Sequence, residues 1–543
     1  MLPFSITARE DHRRIAKGTK FDVLVVGAGI NGAGTARDLA LRGLSVAVVD
    51  RGDVAGGTSS RSSRLIHGGL RYLEQYHFGL VAESTAHRWR LLKLAPHLVT
   101  PLPFLFPVYE DDKNSRWLIR LGVAIYGTLS LGRRPGPSRG LSVAATLGEE
   151  PGLRRDGLTG GVEYYDCATD DGRLTLETLM DAHAAGAVFL PHTEVVGGVA
   201  AGNRLAGLAV RDLLDGEEYD LRAKVVVNAT GPWADGFHER VLPGRIPKWL
   251  RPTKGVHLVF SRDRLSVDRA VAMIVKEDGR PVFVVPWGNT VYVGTTDTDV
   301  ADPEAPLETR ITDIEYMLRV TNRYFPDARL TEDDVMSTWV GLRPLVWDEE
   351  AQSASDVSRE ERIEEAAPGL VTIAGGKLTT YLLMSRKTAD LAARCLTREH
   401  GMNVRRSVAT KTPLQAIRRP GGMQTATAMA AAIAEQLRLP IDGAALAARR
   451  GFTAMDLIDL IRVNPSLAEP CVPGLPWLRA ELRYAVDHEY ACTAEDLLVR
   501  RTHLHYRDVD HGAGVDLSEF IAAPLPDPEQ FAEGSADLPG VVP

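Results

Sequence analysis

Cysteine is scarce in this chain: there are four among 543 residues, with no pair at the short spacing of a metal-binding or redox motif. We therefore expect unpaired thiols, a reducing compartment and no metal site. The N-terminal segment lacks the apolar core of a secretory leader, and no run of about 18 apolar residues predicts a transmembrane helix. The net charge of −8 argues against nucleic acid as a partner.

Internal repeats are also absent, and the length predicts two to four domains of roughly 100–200 residues each. Residues 117–131 are predicted to form a helix. It is either a half-buried helix of a soluble domain or an amphipathic helix that touches a membrane. From residue 425 to 504 apolar residues recur three and four apart, which predicts a small helical domain. Residues 522–543 hold five prolines and are expected to be disordered.

The most informative stretch is residues 21–50, which predicts a strand, a glycine-rich turn, a helix and a second strand ending on Asp50. Gly27 permits a tight turn, Gly29 lets backbone approach a pyrophosphate, and Gly32 lets the helix pack closely on the strand. The helix N-terminus attracts phosphate, and the carboxylate can accept hydrogen bonds from ribose hydroxyls. This unit predicts an FAD- or NAD-type ligand, because a 2′-phosphate would be repelled.

Two further turns consist of small residues and could approach a flat or phosphorylated ligand. Residues 225–233 (VVVNATGPW) predict a strand that ends in a turn around Gly231. Gly376 and Lys377 follow another predicted strand and precede a helix, whose N-terminal dipole would stabilise negative charge on a reduced flavin.

Blocks spread from about residue 20 to 505 resemble the FAD-dependent glycerol-3-phosphate dehydrogenases of the aerobic type. The most specific is TSSRSSRLIHGGLRYLE at residues 58–74. The others are VGAGINGAGTARDLALRG (26–43), NATGPW (228–233), KGVHLV (254–259), PWGNTVYVGTTDTD (286–299), GLRPL (341–345), GGKLTTY (375–381) and AEDLLVRRT (494–502).

The resemblance implies an α/β fold in which a Rossmann-like FAD-binding domain carries an interleaved β-rich substrate-binding cap and a C-terminal all-α domain. The expected division is an N-terminal extension (1–20), an FAD-binding domain (21–88, 160–242 and 349–411), a cap (89–159 and 243–348), a helical domain (412–510) and a disordered tail (511–543). Nothing in the catalysis is expected to require the helical domain.

The resemblance also implies a reaction. Enzymes of this family oxidise the C2 alcohol of sn-glycerol 3-phosphate to dihydroxyacetone phosphate, with hydride passing to flavin N5 and electrons passing to a quinone. A phosphate is best bound by cations, so Arg343 is the first candidate. Arg71, Tyr72, Lys377 and Arg359 match the family's positions near the substrate, although each could be structural.

His257 is the candidate base for the hydroxyl proton, and the sequence does not separate its role from that of Arg343. His67 could lie against the flavin instead. The cofactor-binding residues implied by the matching blocks and the glycine motif are Gly27, Gly29, Gly32, Asp50, Thr58, Ser59, Ser60, His67, Gly68, Gly231, Gly376, Lys377, Leu378 and Thr379.

The chain departs from the family pattern at two positions. Leu382 stands where the family usually has arginine, a role that Arg386 one turn later could take. Glu361 replaces an aromatic or imidazole group two residues after Arg359 and could weaken a phosphate site there. Both departures bear on substrate affinity more than on the class of reaction.

Three alternatives stay open: an oxidase that uses O₂, a flavoenzyme for another phosphorylated or amine substrate, and a dinucleotide-bound scaffold without activity. The quinone acceptor implies a membrane surface, so the expected location is cytoplasmic, peripheral on the inner face of the cell membrane. The sequence leaves the oligomeric state open, a homodimer included.

Overall fold

The computed structural model describes residues 2–69, 78–112, 116–129, 132–347 and 361–521. The helices in these ranges are α1 (Arg9–Gly18), α2 (Ile30–Leu41), α3 (Phe78–Leu94), α4 (Arg116–Leu129), α5 (Val143–Glu149), α6 (Asp171–Ala184), α7 (Ala234–Val241), α8 (Ile311–Tyr324), α9 (Tyr381–His400), α10 (Gly422–Gln436), α11 (Gly443–Arg450), α12 (Thr453–Val463), α13 (Arg479–His488) and α14 (Leu504–Arg507). None of these helices is long and apolar enough to cross a membrane.

The strands in the same ranges are β1 (Lys20–Val26), β2 (Val46–Val49), β3 (Leu65–Ile66), β4 (Val99–Tyr109), β5 (Arg139–Leu141), β6 (Leu158–Thr169), β7 (Val188–Leu190), β8 (Thr193–Ala201), β9 (Arg204–Asp212), β10 (Glu218–Asn228), β11 (Leu250–Ser261), β12 (Ala270–Ile274), β13 (Pro281–Trp287), β14 (Thr290–Gly294), β15 (Thr298–Asp299), β16 (Val335–Val346), β17 (Glu361–Ala367) and β18 (Leu370–Gly375). They form two sheets.

Sheet 1 has the order β17-β18-β10-β1-β2-β7, and β8 and β9 join it through β10. The five strands from β18 to β7 are parallel. Residues 23–26 of β1, 46–49 of β2 and 225–227 of β10 are continuously apolar, as expected of strands covered on both faces. Helices α2, α6 and α9 supply one cover, and Val23, Val25, Val46 and Val48 are fully buried against them. The carboxyl ends of these five parallel strands therefore lie along one edge.

Sheet 2 has the order β15-β11-β14-β13-β12-β4-β6-β3, with β16 paired to β11 and β5 to β6. The long β11–β16 ladder is antiparallel and sets His257 opposite Trp339 and Thr253 opposite Arg343. Helix α8 packs on this sheet through Ile314 and other apolar residues. The sheet is the architecture expected of the β-rich cap.

The C-terminal helices α10 to α14 enclose a core of their own, which contains Leu457, Ile461 and Leu482. Val515 and Phe520 also belong to this core, so the packed chain continues to residue 521, beyond the position 511 at which a disordered tail was expected. Residues 522–543, on which the rest of that expectation falls, lie outside the described residues.

One strand pairs in a different sheet from the one that the expected domain division implies. Strand β6 was expected at the start of the second FAD-binding stretch, but it pairs with β3, β4 and β5 in sheet 2. Strand β4 pairs with β6 over its whole length, and this long ladder fixes β6 in the second sheet. The FAD-binding and cap stretches thus interleave more finely than expected, and the division into domains stays a prediction.

Candidate active site

The glycine-rich turn after β1 leaves no room for side chains. Gly27 has φ +100°, and a Cβ there would lie 2.5 Å from the carbonyl oxygen of Ala229. A Cβ on Gly32 would lie 1.8 Å from the carbonyl oxygen of Gly27, so helix α2 packs directly on the turn. At Gly29, the residue before α2, a Cβ would be 3.2 Å from Ser59 Oγ. The turn brings bare backbone to the edge of the sheet.

Asp50 lies at the end of β2 with its carboxylate facing the same turn. Oδ2 accepts a hydrogen bond from the Ala28 amide at 2.6 Å, and Oδ1 accepts one from the Gly52 amide at 2.9 Å. Burial raises the pKa of this carboxyl, and the two amide donors oppose that rise.

A cavity of about 420 Å³ follows the carboxyl ends of β18, β10, β1 and β2. Neighbouring strands lie about 4.8 Å apart, so the four strand ends span roughly 14 Å. The sequence-predicted residues that line the cavity are Gly27, Gly29, Asp50, Thr58, Ser59, Gly231, Gly376, Lys377 and Leu378. Gly32, Ser60, His67, Gly68, Thr379, His257 and Arg343 are not among its lining residues.

Residues 52–63, here called the 52–63 loop, form one wall of this cavity. Ser59 Oγ accepts the Ile30 amide at the start of α2. Ser60 is buried, and its hydroxyl donates to the carbonyl oxygen of Ala55 at 2.7 Å. Thr58 Oγ1 donates to the carbonyl oxygen of Leu342 at 2.6 Å, which attaches the loop to strand β16 of sheet 2.

The remaining residues predicted to contact the flavin form hydrogen bonds with one another or with the protein core. Thr379 Oγ1 accepts the His67 amide at 3.1 Å and donates to the His67 carbonyl at 3.0 Å. The Gly68 amide donates to the Tyr126 hydroxyl at 2.8 Å, and that hydroxyl donates to Asp166 at 2.6 Å. A Cβ on Gly68 would come within 2.3 Å of the Tyr126 hydroxyl, so this part of the chain is fixed against α4.

His257 is buried on strand β11 in an aromatic setting. Its ring stacks on Trp339 with centroids 4.6 Å apart, and its Nε2 is 2.8 Å from the Ser63 hydroxyl. Nδ1 has no hydrogen-bond partner among the described residues. Burial and the nearby charges of Arg343 and Arg64 hold the pKa of His257 well below its ordinary value, so the ring is neutral.

Arg343 lies on β16, two same-face positions beyond the partner of His257. Its guanidinium donates to Asp297 Oδ1 at 3.1 Å and to Thr295 Oγ1 at 3.0 Å. It passes directly over Gly255, where a Cβ would be 2.3 Å from Nη2. Gly341, between the two positions, lines the cavity, and so do Leu342 and Pro344 of the same strand, so this stretch of β16 borders the cavity.

Three substrate-binding predictions, on Arg71, Tyr72 and Arg359, lie outside the described residues. Of the two departures from the family pattern, Leu382 is buried, and Glu361 accepts a hydrogen bond from Lys387 at 2.5 Å.

Arg386, the suggested replacement for the family's arginine, lies beside His87 of α3, whose pKa its charge helps to lower. It does not line the cavity.

Sequence reasoning missed several residues of the site. Asp297 and Thr295 orient Arg343, Ser63 orients His257, and Trp233 closes the cavity wall beside Gly57. All four residues lie inside blocks that matched the family, which is the one signal that could have found them.

Comparison with known proteins defines the class first. The sequence profile described as FAD dependent oxidoreductase matches residues 22–391, about two thirds of the chain. The profile described as the C-terminal domain of alpha-glycerophosphate oxidase matches residues 414–518. The protein is an FAD-dependent oxidoreductase with an additional helical domain.

Three relatives narrow this class. The aerobic glycerol-3-phosphate dehydrogenase of Staphylococcus haemolyticus is 35% identical over 512 residues, 94% of this chain and 91% of the relative. The glycerol-3-phosphate dehydrogenase of Mycobacterium leprae is 40% identical over 488 residues, 89% of this chain and 80% of the relative. The X-ray structure of the glycerol-3-phosphate dehydrogenase from Bacillus halodurans complexed with FAD matches with a TM-score of 0.75 at 30% identity, covering 93% of this chain and 90% of that one. The chain belongs to the FAD-dependent glycerol-3-phosphate dehydrogenase family.

FAD is the cofactor, and the cavity fits it. Gly27 and Gly29 line the cavity with backbone alone, which suits a pyrophosphate in contact with backbone. Gly231 has φ +60° with no atom within 4 Å of a Cβ position, so the wall there is open. Asp50 lines the cavity at the end of β2.

Proposed function

We propose that the protein oxidises the C2 hydroxyl of sn-glycerol 3-phosphate to the ketone of dihydroxyacetone phosphate and passes the two electrons to a quinone. The observation that carries this proposal is the placement of Arg343 and His257 on one face of the β11–β16 ladder, beside the stretch of β16 that lines the FAD cavity. The names of the relatives support the choice of substrate.

Arg343 is proposed to bind the phosphate. Its side chain keeps 20% of its surface exposed, and Asp297 and Thr295 fix the direction of the guanidinium. A planar guanidinium held in this way can donate two parallel hydrogen bonds to phosphate oxygens. Lys377, on the cavity wall, is proposed to add charge, with Arg71, Tyr72 and Arg359 completing the phosphate site.

His257 is proposed to accept the proton of the C2 hydroxyl. A neutral ring can take a proton, and Nδ1 is the nitrogen that Ser63 does not occupy. A phosphate dianion paired with Arg343 would cancel part of the charge that lowers the pKa of His257. Substrate binding would therefore make the ring more basic at the moment it is needed. FAD, when bound, supplies the acceptor for the hydride that leaves C2.

The cofactor is proposed to lie along the strand ends. Gly27 and Gly29 would face the pyrophosphate with the N-terminus of α2, which Gly32 allows to pack on the turn, and Asp50 would bind the adenosine ribose. The flavin end is assigned to the residues that belong to the family blocks, namely Thr58, Ser59, Ser60, His67, Gly68, Gly231, Gly376, Lys377, Leu378 and Thr379.

An oxidase that passes electrons to O₂ is the second candidate, favoured by the description of the C-terminal match. Stopped-flow reoxidation of the reduced enzyme by O₂ and by a quinone, at equal concentrations, separates the two. We expect the quinone to react faster by at least an order of magnitude. Faster reoxidation by O₂ would assign the oxidase.

The quinone acceptor leads to the proposal that the protein binds the surface of a membrane from the cytoplasmic side. Flotation with anionic vesicles tests the binding to a membrane. A homodimer is a separate proposal, which sedimentation equilibrium tests.

The substrate is tested by adding sn-glycerol 3-phosphate to the oxidised holoenzyme without an acceptor and following the flavin absorbance. Bleaching at sub-millimolar substrate is expected. Absence of bleaching, with an intact flavin spectrum, would overturn the proposed reaction, and a screen of other phosphorylated and amine substrates would follow.

A further inference from the structure

Asp53, in the 52–63 loop, is buried and held by two consecutive arginines of the C-terminal domain. Arg501 donates from Nη1 to Oδ2 at 2.8 Å and from Nη2 to Oδ1 at 2.9 Å, and Arg500 Nε donates to Oδ2 at 2.8 Å. We propose that the C-terminal helical domain, through Arg500 and Arg501, holds the 52–63 loop in its FAD-binding conformation and so sets the affinity for FAD.

The loop that Asp53 fixes is a wall of the FAD cavity. Asp53 lies three residues after Asp50, and its carbonyl accepts the amide of Gly56, which lines the cavity. The Ala55 amide donates to the Ala28 carbonyl within the glycine-rich turn. A shift of the Asp53 carboxylate would therefore be transmitted to both sides of the proposed pyrophosphate site.

The other end of the loop is fixed through the same domain. Ser62, also on the cavity wall, donates from its amide and its hydroxyl to Asp171 Oδ2, at 3.0 and 2.7 Å. Asp170, the preceding residue, caps α6 and lies 2.8 Å from Nε2 of His503. Two attachments to the C-terminal domain thus bracket the loop, one directly at Asp53 and one through the start of α6.

The local backbone explains how two adjacent arginines reach one carboxylate. Residues Asp496–Arg501 form a π-helical turn, wider than the α-helix. Such turns are rare and are often found at functional sites. Within the turn Arg500 also donates to Glu495 at 2.5 Å and to Asp496, and Arg501 donates to the Glu489 carbonyl at 2.8 Å. Both guanidinium groups are therefore fixed before they meet the loop.

A buried carboxylate with three charged donors depends on its partners. Removal of one partner leaves an uncompensated charge away from water, so the loop must move to hydrate it. A lysine at position 501 keeps the charge but loses the planar pair of donors. The inference rests on the proposed placement of FAD in this cavity and extends it to a domain that the catalysis was not expected to need.

The test measures the dissociation constant of FAD from the apoprotein by quenching of flavin fluorescence, in Arg501→Lys and in Asp53→Asn. We expect the dissociation constant of FAD to rise at least tenfold in each variant. In the double variant the rise should be smaller than the product of the two single rises. At saturating FAD, turnover in Arg501→Lys should return, because the arginine lies outside the substrate site.

Arg450→Lys is the matched control. Arg450 is equally buried in the same domain and binds Glu481 at 2.8 Å, but it does not touch the loop. The melting temperature of the Arg450→Lys variant should fall as much as that of Arg501→Lys, while the FAD affinity of Arg450→Lys stays within twofold of the parent chain. An unchanged affinity in both Arg501→Lys and Asp53→Asn, or an equal loss in Arg450→Lys, would overturn the inference. If the parent chain fails to oxidise glycerol 3-phosphate but these affinities change as stated, the reaction is wrong and the inference stands.

Discussion

Arg343 and Asp297 form an ion pair of 3.1 Å, and Asp297 is nearly buried while Arg343 keeps a fifth of its side-chain surface exposed. The carboxylate therefore holds one side of the guanidinium inside the protein and leaves another side for a ligand. The guanidinium of Arg343 passes over Gly255, where a side chain would collide with it. An arginine oriented in this manner loses little entropy when it binds phosphate.

Asp297→Asn should lower kcat/KM for glycerol 3-phosphate by about 10- to 100-fold, since a hydrogen bond to a charged group contributes about 1.5–3 kcal/mol. Most of the effect should appear in KM, because the arginine stays present but less well oriented. Steady-state kinetics with an artificial quinone measure it. Asp299→Asn, an exposed aspartate paired with Arg251, is the control and should leave the kinetics unchanged. Equal kinetics in the two variants would refute the orienting role.

Arg343→Lys should lower kcat/KM by on the order of a hundredfold, because lysine cannot replace the two parallel hydrogen bonds of the guanidinium to phosphate. The visible spectrum should still show a full complement of FAD, because the cavity residues are untouched. Arg251→Lys, on the neighbouring strand and bound to Asp299, should retain the parent rate. Loss of flavin from Arg343→Lys would show that the arginine supports the cofactor instead.

The acid limb of the kcat/KM profile should lie well below pH 6.5. A base with a lowered pKa stays unprotonated, and thus active, down to acidic pH. Arg343→Met should move this limb to higher pH, because it removes a positive charge that lowers the pKa of His257. A limb that is the same in the parent chain and in Arg343→Met would mean that another group accepts the proton.

FAD should dissociate more readily as the pH falls. Burial raises the pKa of Asp50, and a protonated carboxyl loses an acceptor for the ribose hydroxyls. The affinity is thus highest above that raised pKa and falls as the pH drops through it. Asp50→Asn should bind FAD weakly at every pH, with a flat profile. Asp22→Asn, near the opposite end of β1, is the control and should follow the parent curve.

Acid should destabilise the folded protein in the range from pH 6.5 to about 4. Burial lowers the pKa of His12, His87, His238 and His505 from 6.5 to about 4. In this range the unfolded chain binds protons that the folded chain does not, so each group removes about 1.4 kcal/mol of stability per pH unit of fall. Urea unfolding at pH 7, 6 and 5 measures the slope. His238→Gln should reduce it, and a slope independent of these histidines would contradict their burial as neutral rings.

The parts of the fold that depend on nearby residues could be predicted from the sequence. The unit from β1 to Asp50 follows from glycine spacing and from apolar strands, and the structure forms both strands and the helix, with β1 beginning at Lys20. The helical C-terminal region follows equally from apolar periodicity. These patterns are set by local backbone geometry and by burial of one helix face.

The parts that depend on distant contacts could not be predicted. Nothing local assigns β6 to the second sheet, because its apolar pattern suits either one. Asp297 orients Arg343 only after strand pairing brings them together. The family blocks indicate which stretches of the chain form the site but not which side chains contact each other. In the sequence Asp53 does not differ from other loop aspartates, and only the folded structure shows its hydrogen bond with Arg501.

The attachment of Asp53 to Arg500 and Arg501 joins residues 447 and 448 positions apart in the chain. A ribosome makes about 5–20 residues per second, so at least about 20 seconds separate the two halves of the contact. The N-terminal unit leaves the ribosome first, but Arg500 and Arg501 can hold its loop only after nearly the whole chain has been made. The order of synthesis therefore makes stable loading of the flavin a late event in the production of this enzyme, and truncated chains should leave the ribosome without retaining it.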